Sequence, residues 1–267
     1  MTTNTLLRTC LAVFGLLTIA ACGGETETKS TPVAAPVVEQ MAAPDLVTLL
    51  ASESRPEADR ARDAGRKPAE VIAALGIEPG MHVLDIIAAS GWYTEVLSLA
   101  VGPDGSVTSH NTPFVLQMRD GANDKALNER LANGRLPNVR RLNKEITELT
   151  SDDGSFDAAL TALNLHDIYN RGGEEAAIGA MRAIHSVLKP GGFFGVIDHQ
   201  GLAGQDNAER HRMLKADAIR VAEAAGFVVE ADLGVLHFHS DDMTKHMRDD
   251  SVRGKTHRFL LKLRKPE

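Results

Sequence analysis

Apolar and polar positions along the chain alternate in a way that predicts strands and helices in turn. Val83, Leu84 and Ile86 form a short, nearly continuous apolar run, as in a strand covered on both faces. After Gly91, the residues Tyr93, Val96, Leu97, Ala100 and Val101 recur at the i, i+3, i+4, i+7, i+8 spacing of an amphipathic helix. Upstream, Pro68 opens and Gly76 closes a helix carrying Val71, Ile72, Ala74 and Leu75, and a Pro79 and Gly80 turn launches the first strand. Downstream, residues 106–110 read as a second strand, 112–134 as mostly helical with a break at Gly121, 139–142 as a brief strand, and 156–163 as a fourth. A helix over 174–188 follows, then a fifth strand at 193–197, a helix over 214–225 and a strand from Phe227. Over 257–265, Phe259, Leu261 and Leu263 alternate with Arg258, Leu260, Lys262 and Arg264, which predicts a final antiparallel strand. Strands alternating with helices over this length predict an α/β fold, doubly wound, with a mainly parallel sheet covered on both sides.

The amino terminus departs from that rhythm. Residues 1–9 carry one positive charge, Arg8, and residues 10–21 are an apolar run ending before Cys22. A spanning helix needs about 20 apolar residues, so this run is too short and reads as a secretory signal. Ile19, Ala20, Ala21 and Cys22 resemble the lipobox of bacterial lipoproteins, which implies removal of residues 1–21 and lipidation of Cys22. Residues 22–44, with Pro32, Pro36 and Pro44 and no regular period, read as a flexible tether of roughly 25 Å root-mean-square span. Residues 45–267 suit a single domain. Gly23 follows the cysteine where an inner-membrane retention aspartate is often found, so the lipobox resemblance implies outer-membrane delivery, facing the periplasm. Stable attachment takes more than one acyl chain, which a multiply acylated cysteine supplies.

Cysteine and charge narrow the chemistry. The two cysteines are Cys10, inside the signal, and Cys22, at the anchor, which leaves the domain without thiol or disulfide chemistry. The formal charge is −7, and loss of Arg8 with residues 1–21 makes it −8, which argues against nucleic acid as a partner.

In open parallel sheets, ligands sit outside the carboxyl ends of the strands where strand order reverses. Polar residues recur at those ends: Asp85 and Gly91 after the first strand, His110 and Asn111 after the second, Asn164, His166 and Asp167 after the fourth, Asp198 and His199 after the fifth. The stretches VLDIIAASGWYTEVL, DGSFDAALTALNLHD, VLKPGGFFGVIDH and AAGF, over about 200 residues, resemble the class I S-adenosylmethionine-dependent methyltransferases. RDAGRKPAEVIAALGIEPG, LNLHDIYN and RGKTHRFLLKLRKP resemble more narrowly a family of predicted bacterial methyltransferases with exported lipoprotein members.

That resemblance implies a seven-stranded Rossmann-like sheet and S-adenosylmethionine as cofactor. The cofactor would lie over the loop Ala88, Ala89 and Gly91, with Asp85 organising it and Tyr93 and Asn164 beside it. Asn111 stands where an acid usually binds the ribose hydroxyls. Ile87 and Ala89 stand where glycines usually permit positive φ and close approach. Either the loop takes another path, or these side chains partly fill the pocket.

Because the sulfonium donor carries an activated methyl group, the protein chiefly aligns donor and acceptor. His166 is the candidate base, Asp167 its orienting partner, and Asp198 or His199 a contact for a small-molecule acceptor. His166, Asp167, Asp198, His199 and His211 show no short metal-ligand spacing, so no metal is expected; His237 and His239, near Asp241, Asp242 and His246, read as a solvated loop. Arg55, Arg60, Arg62, Arg66 and Lys67, interspersed with Glu57, Asp59 and Asp63, read as a solvated, internally paired helix face, which the resemblance makes a candidate lid. Two other classes stay open. Ile87, Ala89 and Asn111 would suit a periplasmic binding or scaffolding lipoprotein that keeps the fold without the reaction. A dinucleotide-dependent oxidoreductase fits poorly, since no GxGxxG is present. Oligomeric state is not legible.

Overall fold

A computed structural model describes residues 45–267; the expected signal, Cys22 lipidation site and tether lie outside the described residues. Seven strands, β1 His82–Ile86, β2 Ser106–Asn111, β3 Val139–Asn143, β4 Phe156–Ala162, β5 Leu188–His199, β6 Val228–Asp232 and β7 Arg258–Arg264, form one sheet in the order β3-β2-β1-β4-β5-β7-β6. β7 runs antiparallel to both neighbours, and the pairs among β1 to β5 are parallel. The helices are α1 Leu46–Ala51, α2 Glu57–Arg60, α3 Asp63–Arg66, α4 Pro68–Leu75, α5 Trp92–Val101, α6 Pro113–Leu131, α7 Leu165–Val187 and α8 Lys215–Ala224.

Successive strand residues point to opposite faces, and both faces are apolar. On one, Leu84, Ile86, Ala159, Phe194, Val196, Phe259 and Leu261 pack with Ala177, Met181 and Ile184 of α7 and Val221 and Ala222 of α8. On the other, Val83, Leu160, Phe193, Ile197 and Leu260 pack with Val71, Ile72 and Leu75 of α4 and Val96 and Leu97 of α5. Chain order reverses between β1 and β4, so the crevice at their carboxyl ends is where a ligand is favoured.

Two helices differ from expectation in ways that matter for the site. α7 begins at Leu165, immediately after β4, and is broken at Gly173, where φ is +78°, so His166 and Asp167 lie in its first turn. The expected break in α6 is real and extends from Met118 to Gly121.

The charged segment before β1 is internally paired as expected but only partly solvated: Glu57 and Arg62 are exposed, whereas Arg55 and Asp59 are buried. Arg55 is 1% exposed and donates to both carboxylate oxygens of Asp63, at 2.6 and 3.1 Å. Asp59 is buried against Arg130 of α6 at 2.6 Å. Arginine stems carry packing surface as well as charge, which lets α2 and α3 close over the end of α5.

Candidate functional site

The loop joining β1 to α5 keeps a glycine-type path without the glycines. φ is +55° at Ile87, +51° at Ala89 and +81° at Gly91. Left-handed backbone costs a residue with a Cβ about 1–2 kcal/mol, so the surroundings must hold Ile87 and Ala89 there. Several contacts do. Ala88 N–H donates to the His110 carbonyl at 2.9 Å. Asn111 accepts from Ala89 N–H at 2.8 Å and donates from Nδ2 to the Ala89 carbonyl at 3.2 Å. Asn164 Nδ2 reaches the Ile87 carbonyl at 3.3 Å, and Arg130 Nε the Ser90 carbonyl at 2.9 Å. Asn111 is fully buried, so its amide is engaged with the loop rather than facing a ribose.

Gly91 serves packing. A Cβ there would stand 2.7 Å from Leu127 Cδ1 and 3.1 Å from Arg130 Cδ.

Beneath the loop, Asp85 accepts from Thr94 Oγ1 at 2.6 Å, and burial pushes its carboxyl up to about 7. Burial likewise holds His110 down, to about 4, and its Nε2 pairs with the Lys144 carbonyl at 3.0 Å. Tyr93 is buried, its phenol pushed up to about 12 by burial. The Arg66 guanidinium stacks 4.6 Å from the Trp92 ring centroid and 5.8 Å from that of Tyr93. Burial, with the charges of Arg62 and Arg258, holds Arg66 down to about 10. Neither Arg66 nor Arg258 has a carboxylate within ion-pair distance among the described residues; Asp59 acts on Arg66, and Asp198 and Asp241 on Arg258, only from farther away, and Arg258 donates to the Gly65 carbonyl at 2.6 Å and to Thr256 Oγ1 at 3.0 Å. Sequence reading missed Arg258 entirely, because it looks like an outward residue of an alternating strand.

A cleft of about 520 Å³ opens at the carboxyl ends of β1 to β4, lined by Ile87, Ala89, Thr112, Ile146, Thr147 and Asn164. That volume suits a nucleoside-sized ligand. Phe114 in the first turn of α6 and Met118 at the start of its break, 59% and 37% exposed, stand at its rim. The Asn164 side-chain carbonyl takes no hydrogen bond among the described residues.

Beyond Asn164 lies an aspartate–histidine pair. His166 is 1% exposed, and its Nδ1 meets Asp198 Oδ1 at 2.7 Å. Asp198 also accepts the His166 and His199 N–H groups, each at 2.7 Å. Burial alone would lower the His166 imidazole, but the charge and hydrogen bond of Asp198, with the charge of Asp167, outweigh it and hold it above its ordinary value. Asp198 accepts the hydrogen bond at Nδ1, which in the neutral ring leaves Nε2 as the lone-pair nitrogen, and this Nε2 has no hydrogen-bond partner among the described residues.

Asp167 stands 3.7 Å from that nitrogen and is also 3.2 Å from Arg171. His211, from the loop after β5, brings its Nδ1 to 3.5 Å from Asp167. His199 is buried behind the pair, with Nδ1 at 2.8 Å from Thr256 Oγ1, and burial with the nearby Arg258 charge holds it well below its ordinary value. Of the expected site residues, Asp85, Ala88, Ala89, Gly91, Tyr93 and Asn111 thus gather at the loop, Asn164 bridges, and His166, Asp167 and His199 gather at the far end.

Comparison with known proteins gives the following. Residues 84–196 match the methyltransferase domain family, from β1 through most of β5. Demethylmenaquinone methyltransferase of Staphylococcus aureus is 29% identical over 122 residues, 46% of this chain and 44% of that protein. The chain therefore spans less than half the length of the curated relatives it matches. An S-adenosylmethionine-dependent methyltransferase of Aquifex aeolicus superposes with a TM-score of 0.54 at 21% identity, over 74% of this chain and 89% of the other. The [4+2]-cyclase SpnF superposes at 0.55 and 20% identity, over 83% and 93%. The fold is that of the S-adenosylmethionine-dependent methyltransferases, and residues 84–196 match the model of the methyltransferase domain family.

Proposed function

We propose that this chain transfers a methyl group from S-adenosylmethionine to a small-molecule acceptor. The observation that carries the reading is the loop, which holds positive φ at Ile87, Ala89 and Gly91 and leaves a cleft of about 520 Å³ beside it at the point where strand order reverses. A shell that had abandoned its ligand would have no need to keep Ile87 and Ala89 in a costly backbone conformation.

The residues present suit this cofactor. The loop, Thr112, Thr147 and the free Asn164 carbonyl would hold its polar parts, and Ile87 and Ile146 its flat apolar surface. Arg66 and Arg258, which have no carboxylate within ion-pair distance among the described residues, would receive the carboxylate of its amino-acid portion, next to Tyr93. When bound, the cofactor supplies a methyl group already activated on a sulfonium sulfur.

The protein's own work is then alignment, exclusion of water and handling of one proton. Asp198 fixes the His166 ring with Nε2 as the base, buried beside Asp167 of the cleft wall, and a proton released by the acceptor is received there. Asp167 lies beside that nitrogen and favours the imidazolium that results. His199 supports the pair from behind. Phe114 and Met118 at the rim favour an acceptor with apolar surface.

The test follows formation of S-adenosylhomocysteine by the full chain in the presence of pooled small-molecule extracts from its host. Product that falls at least 100-fold with His166→Ala is expected. Product equal in wild type and His166→Ala would remove the base, and none in any fraction would remove the reaction.

Residues 1–44 support a setting for this activity: export as a lipoprotein anchored through Cys22 to the outer membrane, the domain facing the periplasm. Lipid-precursor labelling and membrane fractionation, both unchanged by Cys22→Ala, would contradict it.

A further inference from the structure

We propose that His166 Nε2, the Asp167 carboxylate and His211 Nδ1 form a mononuclear site for a divalent transition-metal ion of the zinc type. One ligand atom from each of the three residues lies within 4.8 Å of the other two. His166 Nε2 is 3.7 Å from Asp167 Oδ2, and His211 Nδ1 is 3.5 Å from Asp167 Oδ1. Ligands about 2.0–2.1 Å from a tetrahedral zinc ion sit about 3.3–3.5 Å from one another, so these side chains are nearly in place.

An independent observation points to an occupant. His166 is 1% exposed and its Nε2 has no hydrogen-bond partner among the described residues, an arrangement that buried polar atoms rarely keep. A cation at that nitrogen satisfies it. The support behind it is of the kind metal-bound histidines use: the other ring nitrogen bonds to a carboxylate, Asp198, which is itself fixed by two backbone N–H groups.

The donor set selects the ion. Two imidazoles and one carboxylate favour zinc-like ions over magnesium or calcium, which prefer oxygen alone. Three protein ligands leave at least one coordination position for water or another oxygen ligand, and the His211 side chain, 28% exposed, gives access from solvent. His246, whose ring lies 5.1 Å from that of His211, is not a fourth ligand, because its Nδ1 accepts the Arg248 N–H at 3.0 Å.

Metal binding stands apart from the proposed methyl transfer; only its use there rests on that reading. In that use the ion binds the oxygen of an acceptor hydroxyl and makes its proton easier to lose, with water or buffer receiving the proton. Cation and proton compete for the same Nε2, so the metal-bound form replaces the His166 base.

The test titrates the full chain, without a histidine tag and freed of metal by a chelator, with Co²⁺ in the visible region and with Zn²⁺ against a chromophoric chelator. One equivalent is expected to bind, with the intense Co²⁺ bands of a four- or five-coordinate site. Asp167→Asn and His211→Asn each weaken it at least tenfold, and Asp198→Asn about 10–100-fold. Asparagine suits position 211 because φ is +50° there. His239→Ala removes one ring of the separate His237, His239 and His257 cluster and leaves binding unchanged. The proposal is overturned by no binding at millimolar metal, by binding indifferent to His211→Asn, or by binding lost with His239→Ala. S-adenosylmethionine binding measured on the same samples separates failure of the metal site from failure of the methyltransferase reading.

Discussion

Replacing Asn111 by aspartate would restore the acid that related sheets place near the ribose, and the structure predicts that it makes the protein worse. Asn111 is fully buried and uses both halves of its amide on Ala89, accepting at 2.8 Å and donating at 3.2 Å. Aspartate keeps the first bond and turns the second into two oxygens facing each other. Losing one neutral hydrogen bond costs about 0.5–1.5 kcal/mol, and an unpaired buried carboxylate adds several more unless it stays protonated. A total of roughly 3 kcal/mol is expected near neutral pH, equivalent to about 6–12 °C in melting temperature for a domain of this size. Asn111→Ala, which loses both bonds without adding charge, should cost about 1–3 kcal/mol. Both variants release Ala89 from its left-handed path, so cofactor affinity falls in both. Thermal melts at pH 7.5 and calorimetry with S-adenosylmethionine check this. An Asn111→Asp protein as stable as wild type, with tighter cofactor binding, would refute the clamp and return Asn111 to the ribose.

Other expectations follow from buried charge and packing. The folded state holds the Asp85 proton up to a pH of about 7, whereas an unfolded aspartate loses it near 3.9, so its contribution is favourable at acid pH and is lost as pH rises through 7. Asp85→Asn should therefore gain on wild type by on the order of 3 kcal/mol between pH 5 and pH 8 in urea melts, and an equal difference at both would contradict the buried acid. Arg212 and Asp241 are both fully buried, with bonds of 2.9 and 3.1 Å, so Arg212→Ala should cost about 3–5 kcal/mol by denaturant titration. Gly91→Ala meets Leu127 at 2.7 Å in a left-handed conformation and should lower stability by about 1–3 kcal/mol.

Much of the fold could be read because its signals are local. Continuous apolar runs marked β1 and β4, and the alternation of Phe259, Leu261 and Leu263 marked β7 as antiparallel. Recurrence of polar residues at strand ends marked the crevice. What was not legible depends on distance in space. Asn111 could be placed after β2, but nothing in its neighbours announces a clamp on Ala89. His211 joins Asp167 only through the folding of the loop after β5. Arg55 and Asp59 look like solvated charges in sequence and are buried because their partners come from α3 and α6. The path of Ile87 and Ala89 was open from sequence, since propensity argues against positive φ, and the flanking hydrogen bonds decide it.

Everything proposed for the site depends on the strained loop still holding a nucleotide-bearing methyl donor. Isothermal titration of the full chain with S-adenosylmethionine, S-adenosylhomocysteine and NAD addresses it directly. One site is expected for the first two ligands, weakened by Asn111→Ala, and no heat from NAD. Absence of binding for both adenosyl ligands at millimolar concentration, in protein that melts cooperatively, would contradict it.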